Sequence, residues 1–123
     1  MTKHQDDRKK FGRFAEDLAA GHLSRTGYHL LGRNVRFRQG ELDIVALHEG
    51  VLVFCEVKAR RSDAYGLPVE AVHIHKQRRM MQLGSLYLLA NPEYAQHACR
   101  FDVVSVSARG LGWQVEVIQN AFP

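Results

Sequence analysis

The sequence predicts an α/β fold in which helices flank a mixed central sheet, with elements in the order α-β-β-β-α-β-β. Two long stretches repeat apolar residues every three or four positions, which is typical of helices that pack on one face. Short runs rich in β-branched residues lie between and after them, and such runs favour strands. A strand hairpin followed by a helical crossover predicts a sheet of mixed direction. At 123 residues the chain is expected to form one domain, 1–123, with residues 1–7 as a flexible N-terminal tail.

The first helix is predicted over residues 7–26, and Gly27 is well placed to end it. Its apolar stripe is formed by Phe11, Phe14, Ala15, Leu18, Ala19 and Leu23. A first strand is predicted over residues 28–37, with Leu31, Val35 and Phe37 on one face. Arg33 breaks this alternation, so a strand that begins only after Arg33 is the alternative.

The stretch from Glu41 to Lys58 predicts two strands joined by a tight turn at Glu49-Gly50. After it, residues 59–68 are polar, basic and punctuated by glycine and proline, which predicts a loop longer than the usual connection. A second helix is predicted over residues 74–91. Its packed face is expected to carry Ile74, Met81, Gly84, Tyr87 and Leu88. Two more strands are predicted over residues 100–107 and 113–118.

Composition and charge narrow the class of protein. No apolar run approaches the roughly 20 residues of a membrane helix, and the N-terminus lacks the apolar core of a signal peptide, so we expect a cytoplasmic protein with no membrane partner. The two cysteines form no CxxC spacing, which implies neither zinc nor a disulfide. The net charge of +4 is modest. Its basic residues flank the predicted hairpin, as is typical of proteins that grip a phosphate-rich polymer.

Charged side chains gather at the open end of the predicted hairpin. Strand side chains alternate faces, so Glu41 and Asp43 point the same way, as do Glu56 and Lys58. If both pairs share a face, three carboxylates and one amine lie within a few ångströms. Buried like charges are unfavourable, and a hard cation such as Mg²⁺ or Mn²⁺ would resolve the conflict. The alternative is ordinary surface charge at strand ends.

These residues resemble a known family. Asp43 followed by Glu56-Val57-Lys58 at the end of an apolar strand resembles the PD-(D/E)xK nuclease superfamily, although Leu42 stands where that name has proline. The wider chain is similar to the YraN-like family of small bacterial proteins, itself similar to archaeal Holliday-junction resolvases. The matching stretches are residues 40–44, 53–60, 66–68, 70–72, Lys76, 100–104 and 120–122.

The resemblance implies a restriction-endonuclease-like core and a metal-dependent nuclease acting on DNA, with branched or single-stranded DNA as candidate substrates. Asp43 and Glu56 would hold Mg²⁺ or Mn²⁺ with the Val57 carbonyl, and Lys58 would complete the catalytic set. Glu16 on the first helix would add a carboxylate, with a solvated helix glutamate as the open alternative. Glu41 would either orient the ligands without touching the metal or bind the metal as an additional ligand.

Nucleic-acid contacts are expected from basic and aromatic residues around this site: Arg38, Arg60, Arg61, Tyr65, Lys76 and Arg79. For the cluster at the chain's start, from Arg8 to Arg13, solubilising charge is an equal alternative. Related resolvases act as dimers because two strands must be cut, so a homodimer is a further expectation. The competing functions are a non-catalytic nucleic-acid-binding module and a scaffold that binds another protein.

Overall fold

The computed structural model describes residues 3–60 and 73–122. It confirms the predicted order of elements. The two helices and five strands are α1 (Lys3–Arg25), β1 (His29–Phe37), β2 (Gly40–His48), β3 (Val51–Arg60), α2 (Ile74–Ala90), β4 (Cys99–Arg109) and β5 (Gly112–Ile118). A 3₁₀ turn follows α2 at Pro92–Tyr94. The first helix begins at Lys3, before the predicted start at residue 7. No helix of the described residues is long and apolar enough to cross a membrane.

The five strands form one mixed sheet in the order β1-β2-β3-β4-β5. β1 and β2 pair antiparallel, as do β2 and β3, and β4 and β5. β3 and β4 run parallel, because α2 carries the chain back across the sheet between them. The predicted mixed sheet is therefore confirmed.

The first helix packs one face of the sheet through small side chains. Ala15, Ala19 and Leu23 are fully buried there, against Ile44 and Val53 of the sheet. Gly27 ends the helix, as predicted. Its φ of +96° lies in the left-handed region, and the Tyr28 N–H donates to the Leu23 carbonyl at 3.0 Å. This Schellman-type closure satisfies a terminal carbonyl and directs the chain into β1.

The second helix packs the opposite face, but the predicted face of this helix is partly wrong. The buried positions are Met80, Leu83, Gly84 and Tyr87, whereas Ile74 and Met81 are about half exposed, at 51% and 50%. The reason is at Gly84, where an added Cβ would lie 3.1 Å from the Phe54 ring. This close approach turns the side of α2 that bears Met80 and Leu83 toward the sheet and leaves Met81 outside.

The hairpin of β2 and β3 forms as predicted, with Glu49 and Gly50 both at positive φ in the turn. Its register runs from His48 opposite Val51 to Ile44 opposite Cys55, so Asp43 lies where the two strands separate. The alternation of faces also breaks here. Leu42 packs with the α2-side core, whereas Ile44, two residues on, packs with the α1-side core. This break in the alternation determines where the carboxylates at this end of the sheet lie.

Candidate functional site

Asp43 lies at the point where β2 leaves β3. Its Oδ2 accepts a 2.8 Å hydrogen bond from the Val57 backbone N–H, which fixes the carboxylate beside β3. A backbone donor that would otherwise continue the sheet is thereby used to hold an acidic side chain. The carboxylate consequently stands between the two strands, within reach of groups from both faces.

Two further carboxylates meet Asp43 from the α1 side. One oxygen each of Glu16, Glu41 and Asp43 lies within 4.8 Å of the others, and we call these three residues the acidic cluster. Asn34 of β1 has a φ of +51° and stands between Arg33 and Val35, which pair with Ile44 and Leu42 on either side of Asp43. The side-chain amide of Asn34 is oriented with its nitrogen toward the carboxylates, because this orientation satisfies the hydrogen bonding of both its oxygen and its nitrogen. The nitrogen then donates to Glu41 Oε1 (2.8 Å) and Glu16 Oε2 (3.0 Å).

Glu56 approaches Asp43 from the α2 side. It is buried, and its Oε1 lies 3.0 Å from Lys76 Nζ and 4.0 Å from Lys58 Nζ. Glu56 is not a member of the three-carboxylate group, but its carboxyl group lies against that of Asp43. The Asp43, Glu56 and Lys58 side chains thus meet at one end of the sheet, with Lys76 added from α2.

Burial and neighbouring charges raise the pKa values of two of these acids, Asp43 and Glu16. Burial, followed by the charge of Glu56, raises the pKa of Asp43 to about 7, and the Val57 N–H opposes the shift. Burial also raises the pKa of Glu16, which Asn34 opposes and Glu41 reinforces. When two or more carboxylates share a site, ionising all of them costs free energy through mutual repulsion unless a cation binds among them. The side-chain atoms that could bind a metal in the acidic cluster are all carboxylate oxygens, which suit Mg²⁺ or Mn²⁺.

The remaining predicted site residues divide into those near the cluster and those outside the described part of the chain. Arg38 is exposed in the turn between β1 and β2. That turn packs beside Arg79 of α2, because a Cβ on Gly40 would lie 3.5 Å from Arg79 Cδ. Arg60 ends β3, two residues beyond Lys58. Arg61 and Tyr65 lie outside the described residues.

A cleft on the α1 side of the acidic cluster was not predicted from sequence. It has a volume of about 490 Å³ and opens between α1 and the first two strands. We call it the α1 cleft; its lining is Lys9, Gly12, Arg13, Glu16, Asn34, Arg36 and Glu41. Part of this cleft could have been recognised from the sequence, because its four α1 residues are spaced by three, four and seven positions and so share one face of the helix. What the sequence did not show was that this face turns toward β1.

A second polar centre lies on β4 and has a different character. Asp102 is fully buried and accepts hydrogen bonds from Arg100, from the Tyr28 hydroxyl (3.0 Å) and from the Asn120 backbone N–H (2.9 Å). We call these residues the Asp102 network. Both a guanidinium group and a backbone N–H therefore donate to this carboxylate, which is typical of a structural role.

Fold and site together define a small mixed α/β protein whose acidic side chains converge at the end of the sheet where β2 leaves β3. The chain belongs to the Uncharacterised protein family UPF0102, whose model matches residues 15–106. The predicted YraN-like family is thereby confirmed.

Relatives from several bacteria match nearly the whole chain. It is 48% identical over 114 residues to a UPF0102 protein of Magnetococcus marinus, covering 93% of this chain and 92% of that one. Identity to a UPF0102 protein of Symbiobacterium thermophilum is 49% over 115 residues, covering 93% and 97%. A relative in Pseudomonas aeruginosa is 41% identical over 128 residues, covering 99% and 98%. These names state the family alone.

Proposed function

We propose that this chain is a metal-dependent nuclease of the PD-(D/E)xK superfamily that hydrolyses phosphodiester bonds in DNA, with branched or single-stranded DNA as its substrate. The observation that carries the proposal is the meeting of Asp43, Glu56 and Lys58 where β2 separates from β3. The mixed sheet with a helix on each face supports a restriction-endonuclease-like core.

The donor set fits a hard divalent cation. Asp43 and Glu56, with the Val57 carbonyl, would hold Mg²⁺ or Mn²⁺, and Glu16 and Glu41 are close enough to Asp43 to take part. The raised pKa of Asp43 arises from burial and neighbouring carboxylates, and a cation relieves both causes. When bound, the ion would supply positive charge to the phosphate and lower the pKa of the attacking water.

The chain's own residues supply positioning and charge. The Val57 N–H holds the Asp43 carboxylate in one orientation, so no reorganisation is needed when substrate arrives. Lys58 is 29% exposed, which lets its ammonium group reach a bound phosphate, position the attacking water and stabilise the pentacovalent transition state. Lys76, 3.0 Å from Glu56, fixes that carboxylate from the α2 side.

Basic residues around the site are suited to grip a nucleic-acid backbone. Arg38 is exposed in the turn that leads into β2, and Arg79 of α2 lies beside that turn at Gly40. Lys76 is 44% exposed, so it can meet a phosphate while it pairs with Glu56. Arg60 continues this surface beyond Lys58. Arg61 and Tyr65 keep their predicted roles in phosphate binding and base stacking.

The proposal is tested by cleavage of junction, flap, single-stranded and linear duplex DNA in Mg²⁺ or Mn²⁺. We expect Asp43→Asn and Lys58→Met each to lower the rate by about 10²- to 10³-fold, because each removes charge that acts on the transition state. Glu116→Gln, which changes an exposed acid on β5, is the matched control and should cut at the wild-type rate.

Two other results would overturn the proposal. Equal residual cleavage by the wild type, Asp43→Asn and Lys58→Met would indicate a contaminating nuclease. Salt-dependent DNA binding without cleavage in either metal would favour the non-catalytic binding module instead.

A further inference from the structure

The α1 cleft combines a basic outer rim with an acidic inner end. Lys9, Gly12, Arg13 and Glu16 lie on one face of α1, since they are spaced by three, four and seven residues. Arg36 faces them from β1, where its Nη2 lies 3.1 Å from Glu41 Oε2. Lys9, Arg13 and Arg36 are exposed, whereas Glu16 and Glu41 point toward Asp43. An anion entering the cleft would therefore meet the cations before it reaches the acidic cluster.

Gly12 is an unusual residue for this position. Glycine in a helix interior lowers helix stability relative to alanine, so it is normally explained by close packing. Gly84 has such an explanation, because an added Cβ would press on Phe54 at 3.1 Å. A Cβ at Gly12, by contrast, would meet nothing within 4 Å among the described residues. Packing within the described chain therefore does not require this glycine, and an approaching ligand would.

We propose that the α1 cleft binds the sugar-phosphate backbone of a nucleic-acid strand next to the phosphate that is cut. Gly12 lets the strand lie against the helix backbone, and Arg13 and Arg36 contact its phosphate oxygens. This inference rests on the proposed function, and it adds a contact surface on the α1 face to the one formed by Lys76 and Arg79 on the α2 face. The strand then passes across the end of the sheet, over Asp43.

The test measures binding of a fluorescein-labelled single strand and a labelled four-way junction by fluorescence anisotropy, in a Lys58→Met background that suppresses cleavage. Gly12→Ala should raise the melting temperature, because alanine favours the helix, and yet weaken binding. Gly12→Leu should weaken binding by about tenfold or more, because it fills the cleft. Arg13→Gln should reduce the slope of log K against log salt by about 0.7 for the single strand and about 0.9 for the junction, the loss of one phosphate contact.

Controls come from the same helix. Gly21→Ala also replaces a helical glycine, but its Cβ would meet the Arg25 side chain at 3.2 Å and lies outside the cleft, so it should leave the dissociation constant unchanged. Arg25→Gln removes one positive charge at the far end of α1 and controls for Arg13→Gln.

The outcomes separate this inference from the proposed function. Wild-type affinity in Gly12→Leu, beside metal-dependent cleavage by the native chain, would overturn the cleft and keep the nuclease. Weakened binding in Gly12→Leu and Arg13→Gln, without cleavage by the native chain, would keep the cleft and overturn the nuclease. A native chain that binds no nucleic acid would overturn both.

Discussion

Asp43 and Asp102 are two carboxylates removed from solvent whose surroundings are opposite. Asp102 is fully buried, and Arg100 donates to both of its oxygens, at 2.8 Å from Nε and 3.0 Å from Nη2. The Tyr28 hydroxyl and the Asn120 N–H complete its shell. Asp43 accepts a hydrogen bond from the Val57 N–H and otherwise faces the carboxylates of Glu16, Glu41 and Glu56.

The difference separates a charge whose partners the fold supplies from one that the fold leaves among like charges. Asp102 ties the end of α1, β4 and the C-terminal segment together, so the fold itself supplies all of its hydrogen-bond donors. Burial and the neighbouring carboxylates raise the pKa of Asp43, and its ionisation therefore lowers the stability of the folded chain at neutral pH. Such a cost is typical of sites selected for chemistry rather than for stability.

The largest effect is expected from breaking the Asp102 network. Asp102→Ala leaves the Arg100 guanidinium without its carboxylate partner and removes the acceptor for Tyr28 and Asn120. We expect a loss of about 4 kcal/mol in the free energy of unfolding, the usual result of breaking a buried charge pair. Urea denaturation at pH 7 measures it, with Glu116→Gln as control. A loss below about 1 kcal/mol would show that this network does not stabilise the fold.

The Asp43 substitution should have the opposite sign. Asp43→Asn keeps an acceptor for the Val57 N–H and removes a charge from the crowded site. Because the pKa of Asp43 in the folded chain, about 7, lies above its ordinary value of 3.8, ionisation of Asp43 lowers the stability of the folded chain as pH rises from about 4 to 7. Without metal, the variant should therefore be more stable than the wild type by about 2 kcal/mol at pH 8, and the gap should disappear as pH falls toward 4.

Melting curves between pH 4 and pH 8 in EDTA check this prediction, and added metal sharpens it. Mn²⁺ should raise the melting temperature of the wild type more than that of Asp43→Asn, because a ligand that binds the folded state stabilises it. A variant less stable than the wild type at pH 8 would show that Asp43 contributes to stability as Asp102 does.

Much of the fold could be predicted because the periodic patterns were long. The hairpin turn at Glu49-Gly50 and the helix end at Gly27 carry local signals that tertiary packing did not override. The face of α2 was mispredicted, since Met80 and Met81 are equally apolar and only the approach of Phe54 to Gly84 decides between them. Such a choice depends on contacts between distant segments, which spacing along one helix does not contain.

The candidate site divides in the same way. The turn at Glu49-Gly50 was sufficient to predict that Asp43, Glu56 and Lys58 lie at one end of the hairpin. The shared face was not confirmed, because the alternation breaks at Asp43, which leaves Glu41 on the α1 side and Glu56 on the α2 side. Asn34 was missed because its contact with Glu16 and Glu41 depends on a left-handed residue inside β1. The sequence marked Lys76 as a substrate contact but not as the partner of Glu56, since that pair joins β3 to a helix across a segment without regular spacing.

The smallest effect on stability is expected at Lys76, and it tests whether this side chain stabilises the fold, as Asp102 does, or serves the proposed site, as Asp43 does. Lys76→Met removes the 3.0 Å partner of the buried Glu56, while Lys58 remains 4.0 Å away. Because the Lys76 side chain is partly exposed, we expect a loss of only about 1 kcal/mol in urea denaturation. Asp17→Asn, which breaks the exposed 2.7 Å pair with Arg33, is the control and should cost about 0.3 kcal/mol. A loss of unfolding free energy near that of Asp102→Ala would show that Lys76 mainly stabilises the fold. A small loss together with a large fall in the cleavage rate would show that it serves the proposed site, as Asp43 does.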